Sequence, residues 1–418
     1  MKSTFFENNR KRYFEKVDNN SLTVLFSGRE TQQTCDQTFH FEVNRNFYYL
    51  TGINQPNVTL LLLKTNNGTR EVLFLEKNDP VMVKWVGAKL EKEEARNISG
   101  IKAVSYLEEF DSYVFGLLNQ TRKNSETVEQ LYCDLERRNL DGYSNKGLEF
   151  ASKMKNEYAE LQIKNAYNII IGLRMYKTEE EIELIKESIE TTKGGIYELM
   201  KHSKEGLLEY QLESYYDHYI KFNGNKNVSF TTIAASGVNA TILHYTSNNT
   251  VIKNDDLILF DLGCCTDLYI SDITRTFPVG GKFSDRQRDI YQAVLNVNKK
   301  CIEFLAPGIS WGEYNEYANK LLGEEMVKLG LIKDESEFRK YYWHSIGHFI
   351  GLDTHDPGLH EFKLAPGMVV TCEPGIYVEE ESIGVRIEDD VLITENGCIN
   401  LSKDIIKEIS DIEEFMKK

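Results

Sequence analysis

Asp261, Asp272, His348, Glu373 and Glu388 are the residues of this chain whose types and settings could do chemistry: four carboxylates and one imidazole. Each lies in or beside an apolar, strand-like run or a glycine-marked turn, where an unpaired charge is costly. No lysines cluster near them, and Arg275 and Arg386 cannot neutralise four acids. Bound divalent cations can. The expectation is therefore a metal site with two ions. Hard carboxylate oxygens with a single imidazole suit Mn2+ or a similar hard-to-borderline ion better than a thiolate-loving one. Co2+ and Zn2+ stay open as alternatives.

The spacing supports this pair by pair. Asp261 and Asp272 stand eleven positions apart across Gly263 and a polar turn, as on two strands of a hairpin. Both side chains can then face one cavity. Taken alone, either Asp reads equally as a surface residue or a turn cap. The run Trp343-His344-Ser-Ile-Gly347-His348-Phe-Ile-Gly351-Leu-Asp353-Thr-His355-Asp356-Pro-Gly358 is denser, and four of the eight histidines fall between His344 and His360. A lone histidine is usually a satisfied structural residue. Three within twelve positions, among glycines that allow close backbone approach, point to a site. Glu373 ends the apolar run Met368–Cys372 just before Pro-Gly. Glu388 alternates with apolar residues, so an inward-pointing acid would break the period-two pattern. For each of these alone, surface exposure is the competing reading.

A sheet is needed to position these groups. From Ser229 the pattern reads as strands at Phe230–Ala235, Asp256–Asp261, Leu268–Phe277, Met368–Cys372 and Val385–Thr394. Helices are expected at Asp285–Leu305 and Trp311–Leu329, separated by Pro307-Gly308. Two more precede the strands. One starts at Thr178-Glu-Glu-Glu181, a capping box, with Ile182, Ile185 and Ile189 on one face, and the other covers Leu207–Phe222. This half reads as α+β, helices on a largely antiparallel sheet. A weak internal echo links Leu257–Gly263 with Met368–Gly375: each is an apolar strand ending in an acid, with glycine two residues later. A strand with a further acid and an Arg follows each time, Asp272 with Arg275 and Glu388 with Arg386. Duplication and chance similarity both fit this echo.

The first ~170 residues mix strand candidates (Leu22–Ser27, Phe47–Leu50, Val58–Lys64, Glu71–Leu75) with helical stretches (Glu91–Asn97, Leu107–Asn119, Leu148–Ile171). Thr65-Asn66-Asn67-Gly68 carries an Asn-Gly hairpin signal. An α/β domain is expected, with no compact catalytic constellation of its own and a boundary near Gly172–Lys177.

Bulk properties narrow the function further. A chain of 418 residues with 41% hydrophobic content has room for two domains and a large core. A net charge of −16 argues against nucleic acid as a partner, because phosphate binding needs a basic surface. No apolar run approaches the ~20 residues that span a bilayer, and the first ten residues lack a secretory h-region. The seven cysteines are irregularly spaced with no CxxC, which fits reduced thiols in the cytoplasm. Cys264-Cys265 reads as two small buried hydrophobes rather than a soft-metal site.

Several segments resemble the pita-bread metallopeptidases, in particular aminopeptidase P (Xaa-Pro aminopeptidase) and the related prolidases. They are Ser236-Gly-Val-Asn-Ala-Thr-Ile-Leu-His244-Tyr, Asp261 with Asp272-Ile-Thr-Arg-Thr-Phe-Pro, and His344 and His348 with Gly-Leu-Asp-Thr-His355-Asp. Cys-Glu373-Pro-Gly-Ile-Tyr377 and Val-Arg386-Ile-Glu388-Asp-Asp complete the set. Asn44-Arg-Asn-Phe-Tyr-Tyr-Leu-Thr-Gly-Ile-Asn-Gln-Pro56 is similar to a segment of that family's N-terminal domain, so the resemblance covers nearly the whole chain. Ser345, at a position often Gly, and Leu262, at one commonly small, depart from the pattern without removing a ligand.

The resemblance implies a creatinase-like α/β domain over 1–173 and a catalytic pita-bread domain over 174–418. It implies Asp261 on one metal, Asp272 and Glu388 bridging two, and His348 and Glu373 on the second. A water activated between the metals would attack the scissile carbonyl, with Glu373 as proton shuttle. His244 and His355 match residues that stabilise the oxyanion and position substrate. His344, Tyr377 and Arg386 match the lining of a prolyl pocket, and Arg386 could also orient Asp261. The implied activity is an Xaa-Pro aminopeptidase acting on peptides with proline at the second position. A prolidase restricted to Xaa-Pro dipeptides is the alternative on the same fold. A non-catalytic pita-bread binding module or creatinase-like hydrolysis without metal is disfavoured, because all five ligand types are present. A homodimer or larger homo-oligomer is implied as well.

Overall fold

The Asn-Gly signal at residues 65–68 folds as read: strands over Thr59–Thr65 and Gly68–Leu75 pair antiparallel, with Thr65 opposite Gly68. The computed structural model describes residues 1–119, 127–137 and 145–417. They form two compact units, Met1–Arg174 and Met175–Lys418.

In chain order the first unit comprises α1 (Ser3–Lys16), β1 (Ser21–Phe26), α2 (Arg45–Thr51), β2 (Thr59–Thr65), β3 (Gly68–Leu75), α3 (Met82–Val86) and α4 (Lys92–Ser99). There follow β4 (Ala103–Tyr106), α5 (Phe110–Leu118), β5 (Gln130–Cys133), α6 (Lys146–Glu157), β6 (Gln162–Asn165) and α7 (Tyr167–Arg174). The strands form one mixed sheet in the order β4-β3-β2-β1-β5-β6, with an antiparallel centre and parallel edges. Period-two alternation puts Leu22, Val24, Leu61, Leu63, Val72 and Phe74 into one core cluster with residues of α5 and α6. Leu22 lies opposite Leu63 and Val24 opposite Leu61, so each cross-strand pair is apolar.

Two expectations for this unit are corrected. Phe47–Leu50 is helix rather than strand. The Asn44 side chain accepts the Phe47 N–H at 2.8 Å, and Gly52 closes the helix in the left-handed region at φ 70°. Residues 46–51 are all buried, so aromatic content alone misstated the element. The expected helix Leu148–Ile171 is interrupted: α6 stops at Glu157, and β6 joins the sheet beside β5 before α7 begins.

The second unit opens with α8 (Glu179–His202), whose Thr178 and Glu181 form the expected capping box. Next come α9 (Glu209–Phe222), β7 (Ile233–Ser236), β8 (Leu257–Leu262), β9 (Cys265–Thr266), β10 (Tyr269–Ile270) and β11 (Ile273–Pro278). Helices α10 (Asp285–Phe304) and α11 (Trp311–Lys328) precede β12 (Val369–Cys372), β13 (Gly375–Val378), β14 (Ile383–Arg386), β15 (Asp389–Thr394), β16 (Gly397–Asn400) and α12 (Ile409–Phe415). The described strands pair antiparallel in small sheets ordered β11-β8-β7, β12-β15-β16, β13-β14 and β9-β10. The two hairpins of the internal echo meet at a seam: Glu388 N–H donates to Thr274 O at 3.1 Å, and Thr276 Oγ1 donates to Arg386 O at 3.0 Å. No helix among the described residues is long and apolar enough to cross a membrane.

Candidate metal centre

The turn after β8 is tight because it has glycine. A Cβ at Gly263 would lie 1.8 Å from the Ser271 carbonyl oxygen, so only glycine lets the chain return close enough to set Asp272 beside Asp261. Opposite, the backbone N–H of His348 donates to Thr371 Oγ1 (3.0 Å), that of Thr371 to His348 O (2.9 Å), and that of Glu373 to Ile346 O (2.8 Å). This locks the histidine segment along β12. Gly347 permits the approach, since a Cβ there would meet Thr371 O at 2.2 Å.

The result is one cluster. His348 Nδ1 donates to its neighbour's carbonyl, Phe349 O, at 2.9 Å. That fixes the tautomer and leaves Nε2 facing Asp272 Oδ2 (3.5 Å) and Glu373 Oε1 (3.6 Å). Ligand atoms of Asp272, His348 and Glu388 all lie within 4.8 Å of one another, close enough to share one ion. Asp261 joins them through Arg386, whose Nη2 donates to its Oδ2 at 2.5 Å. All five of the acids and imidazole expected to bind metal therefore come together.

The electrostatics reflect an excess of crowded, buried acid. Burial pushes the Asp272 carboxyl up to about 6 and that of Glu373 up to about 7, with neighbouring acids adding and His348 and Arg386 opposing. Glu388 is pushed well above the carboxylate range by burial and by Asp272, Glu373 and Asp261. Burial would lower His348, but Asp272 and Glu373 outweigh it and hold the imidazole up to about 9. Such a site demands positive charge. Asp261 Oδ1 is buried and has no hydrogen-bond partner, an acceptor that a cation could satisfy. The residues present fit divalent metal ions.

Around the acids runs a chain of polar contacts. Arg386 Nη1 donates to Tyr377 OH at 3.1 Å, and Tyr377 OH lies 2.7 Å from His344 Nε2. Because His344 Nδ1 donates to Ser345 O at 2.8 Å, its Nε2 must accept from the tyrosine. Burial and then Arg386 push His344 down to about 3, so it is a neutral acceptor. His355 packs edge-on to His348 with ring centroids 4.3 Å apart, and is itself exposed. His244 is exposed too, and bears electrostatically on both His344 and His355. Arg386, Tyr377 and His344 thus form one chain of contacts from Asp261, and His355 packs on His348.

Some contributors were not anticipated. Thr274 Oγ1 donates to Glu388 Oε2 at 2.7 Å and accepts from Arg386 Nε at 3.2 Å. Asp390 Oδ2 accepts the Asp272 N–H at 3.2 Å. Thr274 is on β11, two residues past Asp272, and so shares its face. Arg275, on the other face, turns away from the site and pairs with buried Asp389 at 2.9 Å, so the two arginines of the echo are not equivalent. Asp356 also stands apart, in a buried ion pair with Lys177 at 3.0 Å. Replacing Asp356 by Asn should lower thermal stability by stranding that lysine, while reducing kcat far less than substitution of Glu373. Melting curves and kinetics on the same preparation check both halves.

Comparison with known proteins agrees with this geometry. Residues 183–395 match the model of metallopeptidase family M24, and residues 6–126 match that of the aminopeptidase P N-terminal domain. A Haemophilus influenzae Xaa-Pro aminopeptidase is 35% identical, over 98% of this chain and 96% of its own. The Escherichia coli aminopeptidase P structure with the inhibitor Pro-Leu is 30% identical with a TM-score of 0.89, covering 100% of this chain and 98% of that one. A Bacillus anthracis structure, provisionally described as an aminopeptidase P, is 48% identical with a TM-score of 0.97 over 100% of this chain and 98% of its own. With its α+β architecture and buried acidic centre built for divalent metal, the chain belongs to the aminopeptidase P family of M24 metallopeptidases, and it is a metalloaminopeptidase.

Proposed function

We propose that this enzyme removes an N-terminal residue when proline follows it, and that two divalent ions serve the reaction. The observation that carries this reading is the largely buried cluster in which Asp272, His348 and Glu388 could share an ion, with Glu373 beside His348 and an unpartnered Asp261 oxygen. Asp261 would hold one ion, Asp272 and Glu388 both, and His348 and Glu373 the other. Mn2+ is favoured by the carboxylate-rich donor set, ahead of Co2+ or Zn2+. When bound, such ions polarise the scissile carbonyl and lower the pKa of water at the site.

The chain's own residues do the rest. A Glu373 carboxylate oxygen takes the proton of the attacking water and returns it to the leaving proline nitrogen. His244 and His355 donate to the carbonyl oxygen as negative charge develops there. His344, Tyr377 and Arg386 line the prolyl pocket. A prolyl amide has no N–H to recognise and a fixed φ, so selection must come from shape, which a wall locked by hydrogen bonds provides. Residues 1–173 would form the creatinase-like domain and 174–418 the catalytic one, in keeping with the two matched families. The cysteines described are all free thiols, which suits the cytoplasm. Assembly as a homodimer or larger is carried over from the family resemblance.

The test compares Xaa-Pro-Xaa tripeptides with Xaa-Pro dipeptides in Mn2+-loaded protein. Release of the first residue from tripeptides is expected, with activity lost on chelation and restored by Mn2+. Cleavage of dipeptides alone would favour a prolidase. Cleavage of neither, in protein shown to hold metal, would overturn the assignment.

A further inference from the structure

Outside the metal cluster, one buried acid gathers both flanks of the His244 loop. Glu209 is the first residue of α9 and has no exposed surface. Its Oε1 accepts from the Ser236 backbone N–H (2.7 Å), the Ser236 hydroxyl (2.7 Å) and the Asn239 amide (3.1 Å). Its Oε2 accepts from the Tyr245 hydroxyl (2.8 Å) and the Thr250 backbone N–H (3.0 Å). Ser236 and Asn239 precede His244, whereas Tyr245 and Thr250 follow it. All five donors are neutral, and they and the helix N-terminus stabilise the carboxylate.

Backbone contacts reinforce the arrangement. The Glu209 N–H donates to Thr250 O at 3.0 Å, and the Tyr210 N–H to Asn248 O at 2.7 Å. Asn248, in the left-handed region at φ 45°, donates its amide to Thr232 O and Glu213 Oε2, each at 2.9 Å. The loop is therefore fixed at both ends. Between them, the His244 imidazole is exposed and forms no hydrogen bond among the described residues.

We propose that Glu209 is a positioning residue for His244: one carboxylate clamps the two sides of the loop and thereby sets where the imidazole stands over the site. The proposal rests on the reading that His244 acts in catalysis. A carboxylate is required because each oxygen accepts from a backbone N–H, that of Ser236 on one side and Thr250 on the other. A glutamine would have to turn its NH2 toward one of them, leaving donor against donor. Aspartate is one methylene too short to reach both.

A double-mutant cycle tests this, with kcat and KM measured for the parent, Glu209→Gln, His244→Ala and the double variant, all with metal content determined. Glu209→Gln is expected to lower kcat by about 10-fold or more without loss of metal. In the His244→Ala background the same change should cost less than about 2-fold, because the group it positions is already gone. Equal fold-losses in both backgrounds, or no loss in the parent, overturn the proposal while leaving the role of His244 intact. No effect of His244→Ala on kcat overturns the reading beneath it, and the proposal with it. If Glu209→Gln does not fold, Tyr245→Phe enters the same cycle. It removes one clamp donor and leaves the carboxylate in place, and the same coupling to His244 is required of it.

Discussion

Replacing Glu373 by Gln is expected to lower kcat by about 10²–10⁴-fold. The glutamine keeps the shape of the side chain at the end of β12 and one oxygen near His348 Nε2, which lies 3.6 Å from the native carboxylate. What it cannot do is take and return a proton. The backbone that presents residue 373 is held by the bond from its N–H to Ile346 O at 2.8 Å, which no side-chain change disturbs. A loss of turnover in protein that retains its metal therefore reports proton transfer rather than misplacement. Metal content and kcat on one preparation decide the matter, and a variant that holds metal and turns over like the parent would refute the assigned role.

The largest expected effect on stability lies behind the site. Arg275 and Asp389 are both fully buried and paired at 2.9 Å, and Lys407 reaches the other Asp389 oxygen at 2.5 Å. Arg275 also donates to the carbonyls of Glu388 (2.6 Å), Ile405 (3.2 Å) and Ile406 (3.2 Å), so it ties β11 to β15 and to the segment before α12. Arg275→Met should destabilise the fold by about 3 kcal/mol, because it leaves buried Asp389 with Lys407 as its remaining counter-charge and removes the arginine donor from four carbonyls, Thr274 O among them. Burial alone would raise the Asp389 carboxyl, but Arg275 and Lys407 outweigh it and hold it below the usual carboxylate range. A group so depressed stabilises the fold at pH above its unfolded value, ~4, and loses that contribution as pH falls through the folded value. The penalty of Arg275→Met should thus be full at pH 7 and shrink in strongly acid solution. Urea unfolding across pH measures it, and a penalty that is small at pH 7 or grows with acidity would contradict the account.

Much of the centre was legible because its acids violate local pattern. Glu388 interrupts an apolar alternation, Glu373 ends an apolar strand, and Asp272 precedes one, so each advertised a need for compensation. The density of histidines from His344 to His355 did the same. The tight turn at Gly263 and the close approach at Gly347 were visible only as glycines, since what they make room for lies far along the chain. Thr274 and Glu209 were silent for a related reason: a threonine in a strand and a glutamate in a helix's first turn are ordinary locally, and only the fold reveals their partners. In the first unit, Phe47–Leu50 misled because aromatic residues favour strands, whereas burial on every side and the Asn44 cap made a helix. Strand β6 was hidden inside a helical pattern because its pairing with β5 is non-local.

The central claim is that Asp261, Asp272, His348, Glu373 and Glu388 together hold the divalent ions. Anomalous diffraction from crystals grown with Mn2+ tests it most directly. Two manganese peaks should lie between these side chains, within about 2.0–2.4 Å of their oxygens and of His348 Nε2. Manganese found elsewhere, or a cluster that stays empty when Mn2+ saturates activity, would contradict the account.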